Sequence, residues 1–319
     1  ELAGQVMFQE SLLLPSARSS GLGLERRRLG ALEVLDLQFT QFQPVSDHSE
    51  LVFQYDRREF TSNDETLLVV DDQEHRAGLY WNHKRGRYRQ SFFVGQRDLL
   101  DHHETMAELE MGGAWHSDWS VTLGYQWQMP ADESSLLLLG GARTGLRYGL
   151  AWSPSSTWQN SVDLSDYTYH DLDGETLGSG TIVNVQSTWR PWLSRFSPGL
   201  KGRHTRAAFD EERESMDEVQ ALLPPGQSAV AIPEDYHETE LTLLLGMPDV
   251  HLRPHRLQGW AELGYSHNSL SGSGFTGRAG IEGPFIGRDG WKLYLEQQLN
   301  TGGSGEDSYR AAFEYRIYY

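Results

Sequence analysis

The sequence predicts an all-β fold, a transmembrane antiparallel up-and-down β-barrel of about sixteen strands. The first indication is the C-terminus, SYRAAFEYRIYY, in which every second residue is apolar or aromatic from Tyr309 to Tyr319. A strict period of two indicates a β-strand with one apolar and one polar face. A strand that ends the chain on an aromatic residue is expected to close a sheet.

Composition is the second indication. The 319 residues have 38% hydrophobic content, and their mean hydropathy is -0.55. No run of about 18 apolar residues is present, so the sequence predicts no transmembrane helix. A search for long apolar runs does not detect the strands of a transmembrane barrel, because their lumen-facing half is polar. The 33 glycines, 12 prolines and 36 aromatic residues (12 Phe, 10 Trp and 14 Tyr) fit many turns and interfacial belts.

The elements follow in order along the chain. Residues 1–17 lack a two-residue period, and we expect them to be a helical or irregular lead-in to the barrel. Residues 18–319 are expected to form the barrel. Alternating segments predict strands at 19–28, 31–42, 50–58, 74–83, 87–97, 104–115, 118–128, 142–152, 157–168, 180–190, 195–207, 236–246, 256–266, 274–284, 290–299 and 308–319.

Connections after even-numbered strands are mostly short, as at 84–87 and 153–156, whereas those after odd-numbered strands are mostly long. The long ones include 61–73, 129–141 and the longest, about 208–235. Short periplasmic turns and long external loops are typical of bacterial barrels. This pattern predicts that both termini lie on the periplasmic side of the outer membrane.

Tryptophans flank the short turns, and we expect them to form a periplasmic girdle because indole rings favour the membrane interface. Only Trp127 and Trp260 lie elsewhere. The girdle residues are Trp81, Trp115, Trp119, Trp152, Trp158, Trp189, Trp192 and Trp291. Leu35, Leu37, Phe39, Val121, Leu123 and Tyr125 are predicted to contribute to the outward apolar band. A soluble sandwich or propeller is the alternative, but a soluble core does not require tryptophans at one end.

Charged residues on the opposite face are predicted to line the lumen, because a charge facing lipid costs about 2–4 kcal/mol at the midplane. Such residues either contact the cargo or pair with each other across the wall. The predicted acids are Asp36, Asp56, Glu104, Glu108, Glu110, Asp163, Glu238, Glu240, Glu262, Glu282 and Glu296. The predicted cations are Arg76, Arg89, Arg143, Arg147, Arg278, Lys292, Arg310 and Arg316. A barrel of this size is expected to contain an aqueous channel.

The net charge of -18 is concentrated in loops, at 63–74 and 209–218. An acidic mouth attracts cations and repels phosphate polymers, so nucleic acid is not expected as cargo. The longest loop, about 209–235, combines an acidic half with an apolar half, and we interpret it as a lid over the pore. The alternative is a mobile, solvated loop. Its acidic residues are Glu211, Glu212, Glu214, Asp217 and Glu218.

Motifs that would indicate catalysis are weak. The run GSGFTG (272–277) matches a dinucleotide fingerprint but leads into an alternating strand rather than a helix. His102 and His103 could act at a barrel rim as general acid, base or metal ligands, although no nucleophile accompanies them. We therefore expect no catalytic residue, no metal and no cofactor.

The late hairpins RLQGWAELGYSHNS, FTGRAGIEGPFIGRDGWKLYLEQQLN and SYRAAFEYRIYY resemble the C-terminal porin domain of bacterial exopolysaccharide exporters, those of the Pel and poly-N-acetylglucosamine type. The resemblance implies export of an exopolysaccharide that is partly de-N-acetylated and hence cationic. It also implies three partners: outer-membrane lipid, a periplasmic tetratricopeptide-repeat scaffold in the missing part of the same chain, and a partner lipoprotein. Residues 1–17 would then be the periplasmic lead-in from that missing N-terminal scaffold.

The sequence thus favours a passive export channel. Two alternatives remain at this point, a general diffusion porin for small solutes and a barrel hydrolase that uses His102 and His103.

Overall fold

A computed structural model describes residues 18–30, 32–62, 72–99, 101–192, 197–212, 232–246, 257–284, 289–299 and 307–319. The predicted lead-in, residues 1–17, lies outside this part of the chain. The strands are β1 (Ser19–Leu29), β2 (Leu32–Ser46), β3 (Ser49–Ser62), β4 (Asp72–Arg85), β5 (Tyr88–Leu99), β6 (His102–Ala114), β7 (Trp119–Pro130), β8 (Ala142–Ser155), β9 (Trp158–His170), β10 (Thr176–Trp189), β11 (Gly199–Glu211), β12 (Tyr236–Leu245), β13 (Gln258–Asn268), β14 (Gly272–Pro284), β15 (Gly290–Leu299) and β16 (Ser308–Tyr318). A short helix, α1 (Ser135–Gly140), lies between β7 and β8.

The strands form one closed barrel in which each strand pairs antiparallel with its neighbours in the chain. Closure is made by β1 and β16, whose register runs from Ser19 opposite Tyr318 to Leu29 opposite Ser308. The fold class and the role of the last strand are therefore confirmed. Within the described ranges, no helix is long and apolar enough to cross a membrane.

Side chains alternate between the two faces of the wall, as the pleat of a strand requires. On β12, Leu241 and Leu243 are 59% and 44% exposed, whereas Glu238 and Glu240, which precede them on the alternate positions, are 3% and 6% exposed. The apolar face points outward and the polar face lines the lumen. The outward band contains the residues predicted for it, including Leu35, Leu37, Val121, Leu123 and Tyr125.

The barrel has two ends. The terminal end holds Ser19, Tyr318 and the joins after even-numbered strands; the loop end holds the joins after odd-numbered strands. All eight predicted girdle tryptophans lie towards the terminal end, at strand ends or in its joins. Trp260 also lies near this end, but it faces the lumen, because it stands opposite Gly280 and is buried.

The contrast in join length is weaker than the sequence predicts. At the loop end, the joins 30–31 and 100–101 are only two residues long, while the terminal end carries the longer joins 190–198 and 246–257. β11 also begins at Gly199 rather than at 195. Pro191 and Pro198 explain this difference, because proline donates no backbone hydrogen bond and rarely continues a paired strand.

Candidate functional site

A bulge in β7 directs the following chain towards the lumen. The β7–β8 register shifts between Gln126 and Met129, and Gln128 adopts a φ of 51°. The backbone N–H of Gln128 donates to the hydroxyl of Thr144 at 3.1 Å. Bulges bend a strand and increase its local twist. The strand therefore ends with its continuation, residues 131–141, aimed across the barrel. We call residues 131–141 the plug segment.

The plug segment is closed on itself by short-range hydrogen bonds. The hydroxyl of Ser134 caps α1 by accepting from the N–H of Leu137 at 3.1 Å. The N–H of Gly141 donates to the carbonyl of Leu137, and the N–H of Ala131 donates to the carbonyl of Gly141 at 3.0 Å. A Cβ at Gly141 would lie 2.7 Å from the Leu137 side chain, so glycine is required for this close approach.

Four successive leucines make α1 apolar on every side, which is typical of a helix buried all round. Leu137, Leu138 and Leu139 are 0%, 3% and 4% exposed. They pack with buried lumen-facing residues of the wall in one apolar cluster. Its other buried members are Leu32, Val34, Phe60, Leu99, Ala131, Tyr167, Tyr169, Leu172, Leu177 and Ile232.

This cluster, which we call the plug cluster, joins opposite walls of the barrel. Leu32 and Val34 lie on β2, whereas Tyr167 and Tyr169 lie on β9. These strands stand seven positions apart in a closed ring of sixteen, which is nearly the full width. Each buried leucine stabilises the arrangement by about 1.5–3 kcal/mol relative to exposure. The plug segment therefore crosses and obstructs the lumen at the loop end.

Arg97 fastens one side of the plug segment to the wall. Its side chain is fully buried, and its Nε lies 2.6 Å from a carboxylate oxygen of Glu74. Its Nη1 donates to Glu104 at 3.1 Å and to the carbonyl of Gly141 at 3.2 Å. One guanidinium thus links β4, β5 and β6 to the end of the plug segment.

Arg143 fastens the other side. Its Nη1 lies 3.1 Å from Asp132 and 2.6 Å from Glu133, and its Cζ lies 4.9 Å from the centre of the Tyr167 ring. These ion pairs bond the acidic start of the plug segment to β8.

The length of the join 129–141 predicts a long external loop. The join is present, but the structure folds it into the lumen. The signal was the run LLLL at 136–139, preceded by serine and followed by glycine, within an otherwise polar connection. Four adjacent leucines are unfavourable in a solvated loop, so this run could have indicated that the segment is buried.

All eleven predicted lumen acids lie on strands with their side chains on the inner face. Nine of them pair with an arginine or lysine at 4.0 Å or less: Asp36, Asp56, Glu104, Glu108, Glu110, Glu238, Glu240, Glu262 and Glu296. Glu282 accepts from the side-chain amide of Gln258 at 2.9 Å. Asp163, on β9, is exposed on the inner face. The inner wall is therefore largely a network of ion pairs.

The acids of β12 illustrate how this wall is built. Arg203 lies 3.3 Å from Glu238 and 2.9 Å from Glu240, so one guanidinium serves two carboxylates. Glu240 also accepts from the hydroxyls of Thr242 and Thr276, each at 2.8 Å. Arg203 is 40% exposed along its side chain, which leaves this triad accessible from the lumen.

A ladder of rings and guanidinium groups covers the inner wall from β13 to β16. Arg278 lies between Trp260 and Tyr294, with its Cζ 5.0 Å and 5.3 Å from the two ring centres. Arg310 contacts the same tyrosine ring at 5.3 Å and pairs with Glu25 at 2.6 Å. Such cation–π contacts stiffen this wall beside the closing strands.

The residues considered for catalysis do not converge. His102 and His103 are adjacent on β6, so their side chains point to opposite faces of the wall. His103 contacts Asp98 at 2.6 Å on the outside, whereas the Nδ1 of His102 is 3.7 Å from Asp173. In the described part of the chain, no group of three or more acidic or histidine side chains could hold a metal ion. The GSGFTG run begins strand β14.

Only part of the predicted lid can be located. Glu211 and Glu212 are exposed at the end of β11, while Glu214, Asp217 and Glu218 lie outside the described residues. Ile232, near the end of the predicted loop, is 3% exposed and belongs to the plug cluster. The lid remains a prediction.

Comparison with known proteins gives one family and several similar folds. The family described as "PelB, C-terminal beta barrel domain" matches residues 14–318. A solved structure titled "Bacterial polysaccharide outer membrane secretin" has a TM-score of 0.68 and 10% identity over 94% of this chain and 98% of that chain. CdiB from Acinetobacter baumannii has a TM-score of 0.50 and 8% identity over 95% of this chain and 60% of that chain. At these identities, the two structures show the fold alone. No curated protein matches the chain in sequence.

Proposed function

Since the chain belongs to the family of PelB C-terminal beta barrel domains, we propose that it is an outer-membrane channel that exports an exopolysaccharide from the periplasm to the cell surface. The family match confirms the resemblance drawn from the late hairpins. The observation that carries the proposal is the lumen itself, a polar passage obstructed at one end by a buried segment that is not part of the wall.

The plug segment makes the channel closed at rest. A polymer as thick as a sugar chain cannot pass an apolar cluster that reaches from β2 to β9. The plug segment is continuous with β7 and β8 and is held by Arg97 and Arg143, so it can leave the lumen without unfolding the wall. Release of these two contacts is the opening step in this proposal.

The passage for the glycan runs along the wall from β11 to β16, away from the main body of the plug cluster. Carboxylates such as Glu238 and Glu240 share Arg203, and an ammonium group on a sugar can take the place of that guanidinium. This exchange supports a cationic, amino-sugar cargo. Weak and repeated contacts of this kind let a polymer slide and leave.

The orientation and partners belong to the same proposal. With the tryptophan-rich terminal end facing the periplasm, both termini would meet a tetratricopeptide-repeat scaffold and a lipoprotein beneath the barrel. The loop end, with the plug segment, would then face the cell surface.

Secretion by cells tests this function. An exporter that carries this barrel in place of the cell's own barrel domain should restore surface glycan, and the restored amount should be larger for a partly de-N-acetylated glycan than for a fully acetylated one. Equal secretion of both glycans would contradict the proposed preference for a cationic glycan. No secretion from a folded, membrane-inserted barrel would contradict export.

A diffusion porin for small solutes is the second candidate, since a polar lumen also suits it. The plug cluster disfavours it, because a diffusion porin must conduct at rest. A large steady conductance of the purified wild-type barrel in planar bilayers would favour the porin.

A further inference from the structure

A cationic patch lies on the outer surface of the barrel, at the loop-end edge of β11, β12 and β13. It consists of His204 and Arg206 on β11, His237 on β12 and His267 on β13, and all four side chains are exposed. Arg206 stands opposite His237, while His204 and His267 stand opposite Thr239 from its two sides. The four cationic or ionisable groups therefore surround one threonine on the lipid-facing surface.

The patch borders the apolar band directly. The next outward positions towards the terminal end are Leu241 on β12 and Tyr265 on β13, which are 59% and 48% exposed. In a membrane, the edge of the apolar band is the level of the lipid headgroups. The patch is thus positioned where phosphate groups of lipids lie.

Several other exposed cations on the outer surface at the loop end contact an acid, whereas Arg28 donates to the carbonyl of Gly30 at 3.1 Å. Arg26 pairs with Glu33, Arg57 lies 2.6 Å from Glu59, and His103 lies 2.6 Å from Asp98.

The patch differs, since no carboxylate of the described chain lies within ion-pair distance of its four members. The nearest acids on the outer faces of these strands contact other groups or lie farther along the strand. Asp235 accepts from the N–H of Phe209 at 2.6 Å, Asp166 accepts from the hydroxyl of Thr181 at 3.2 Å, and Asp210 lies beyond Ala208. On a chain of net charge -18, a group of exposed basic side chains without acidic partners among the described residues can attract an external anion.

We propose that His204, Arg206, His237 and His267 bind the phosphate group of an anionic membrane lipid on the outside of the barrel. A guanidinium binds phosphate through two parallel hydrogen bonds, and the neighbouring imidazoles add N–H donors. The hydroxyl of Thr239 lies within the same ring of groups. The bound lipid would fix the barrel's depth and rotation in the membrane on the side of the proposed passage.

The test uses the full 319-residue barrel in nanodiscs and measures bound lipid by native mass spectrometry. The probes are phosphatidic acid, which carries a phosphate monoester, and zwitterionic phosphatidylcholine. We expect the wild type to retain phosphatidic acid about tenfold more strongly, and the Arg206→Gln/His237→Gln variant to lose most of that preference. Arg57→Gln, which alters an outward arginine that is already paired, is the matched control and should keep it.

Three outcomes would overturn the proposal: no preference in the wild type, an unchanged preference in the double variant, or equal loss in the control. Displacement of the lipid by millimolar inorganic phosphate would show a site for free anions instead of lipid. Folding is checked by the heat-dependent shift of the barrel in gel electrophoresis, and Arg206→Lys should retain part of the preference if charge is the cause.

Discussion

The two sides of the lumen are stabilised in different ways. From β2 to β10, the loop end is filled by the plug cluster, and two buried arginines tie the plug segment to the wall. From β11 to β16, the described inner wall is lined by ion pairs and by the ladder of Trp260, Arg278, Tyr294 and Arg310. The first side depends on burying a segment that belongs to no strand, whereas the second depends on contacts between strands that stay in place.

Because of this difference, the plug segment can move while the wall from β11 to β16 stays in place. Extracting the plug segment exposes apolar surface but breaks no strand pairing, since α1 lies between β7 and β8. Disturbing the ladder would disturb the wall beside the β1–β16 closure. We therefore assign gating to the side of the lumen from β2 to β10 and passage of the glycan to the side from β11 to β16.

The largest effect is expected at Arg97. Arg97→Met leaves Glu74 buried without its main partner and removes the bond to Gly141, which should cost about 3–5 kcal/mol. Urea-induced unfolding should detect this loss, and planar bilayers should show frequent openings. The counterpart on the other wall, Arg278→Met, should cost less and leave the conductance unchanged. Equal openings in both variants would contradict the assignment.

The packing of α1 is expected to have the next largest effect. Leu138→Ala creates a cavity in the plug cluster and should destabilise the closed state by about 2–3 kcal/mol, within the range for buried leucines. The measured quantity is the open probability of single channels. Leu243→Ala, on the lipid-facing side of β12, provides the control and should leave the open probability at the wild-type value.

A smaller effect is expected on ion selectivity, which should depend more on the wall from β11 to β16 than on the wall that holds the plug segment. Glu238→Gln/Glu240→Gln removes two charges from the proposed passage and should lower the cation-to-anion permeability ratio roughly twofold. Glu108→Gln/Glu110→Gln, on β6 of the plug side, should change it less. Reversal potentials in a salt gradient measure both. A larger change in the permeability ratio for the β6 variant than for the β12 variant would indicate that the passage runs along the plug side.

Sequence predicted the wall well because alternation in a strand is a local property. Every strand was found within a few residues, and the inner position of the acids followed from the cost of charge in lipid, as for Glu238 and Glu240. The side-chain contacts of the charged residues could not be predicted from sequence. Arg97 contacts Glu74 and Gly141 only after the strands pair and the plug segment turns inward.

The plug segment itself was missed for a related reason. Length alone made 129–141 resemble an external loop, and only the tertiary fold shows that Leu137 belongs to one buried cluster with residues of β2 and β9. The bulge at Gln128, which sends the chain inward, has no distinctive sequence, because a left-handed glutamine is uncommon.

Whether the plug segment closes the lumen can be measured as the single-channel conductance of a barrel in which residues 132–140 are replaced by a short Gly-Ser linker. With the plug segment gone, the folded barrel should conduct steadily and at least several-fold more than the wild type, and cells that contain it should become sensitive to large antibiotics. Deletion of residues 211–232 in parallel measures the contribution of the predicted lid. If the barrel without its plug segment remains folded but conducts no better than the wild type, the plug segment does not close this channel.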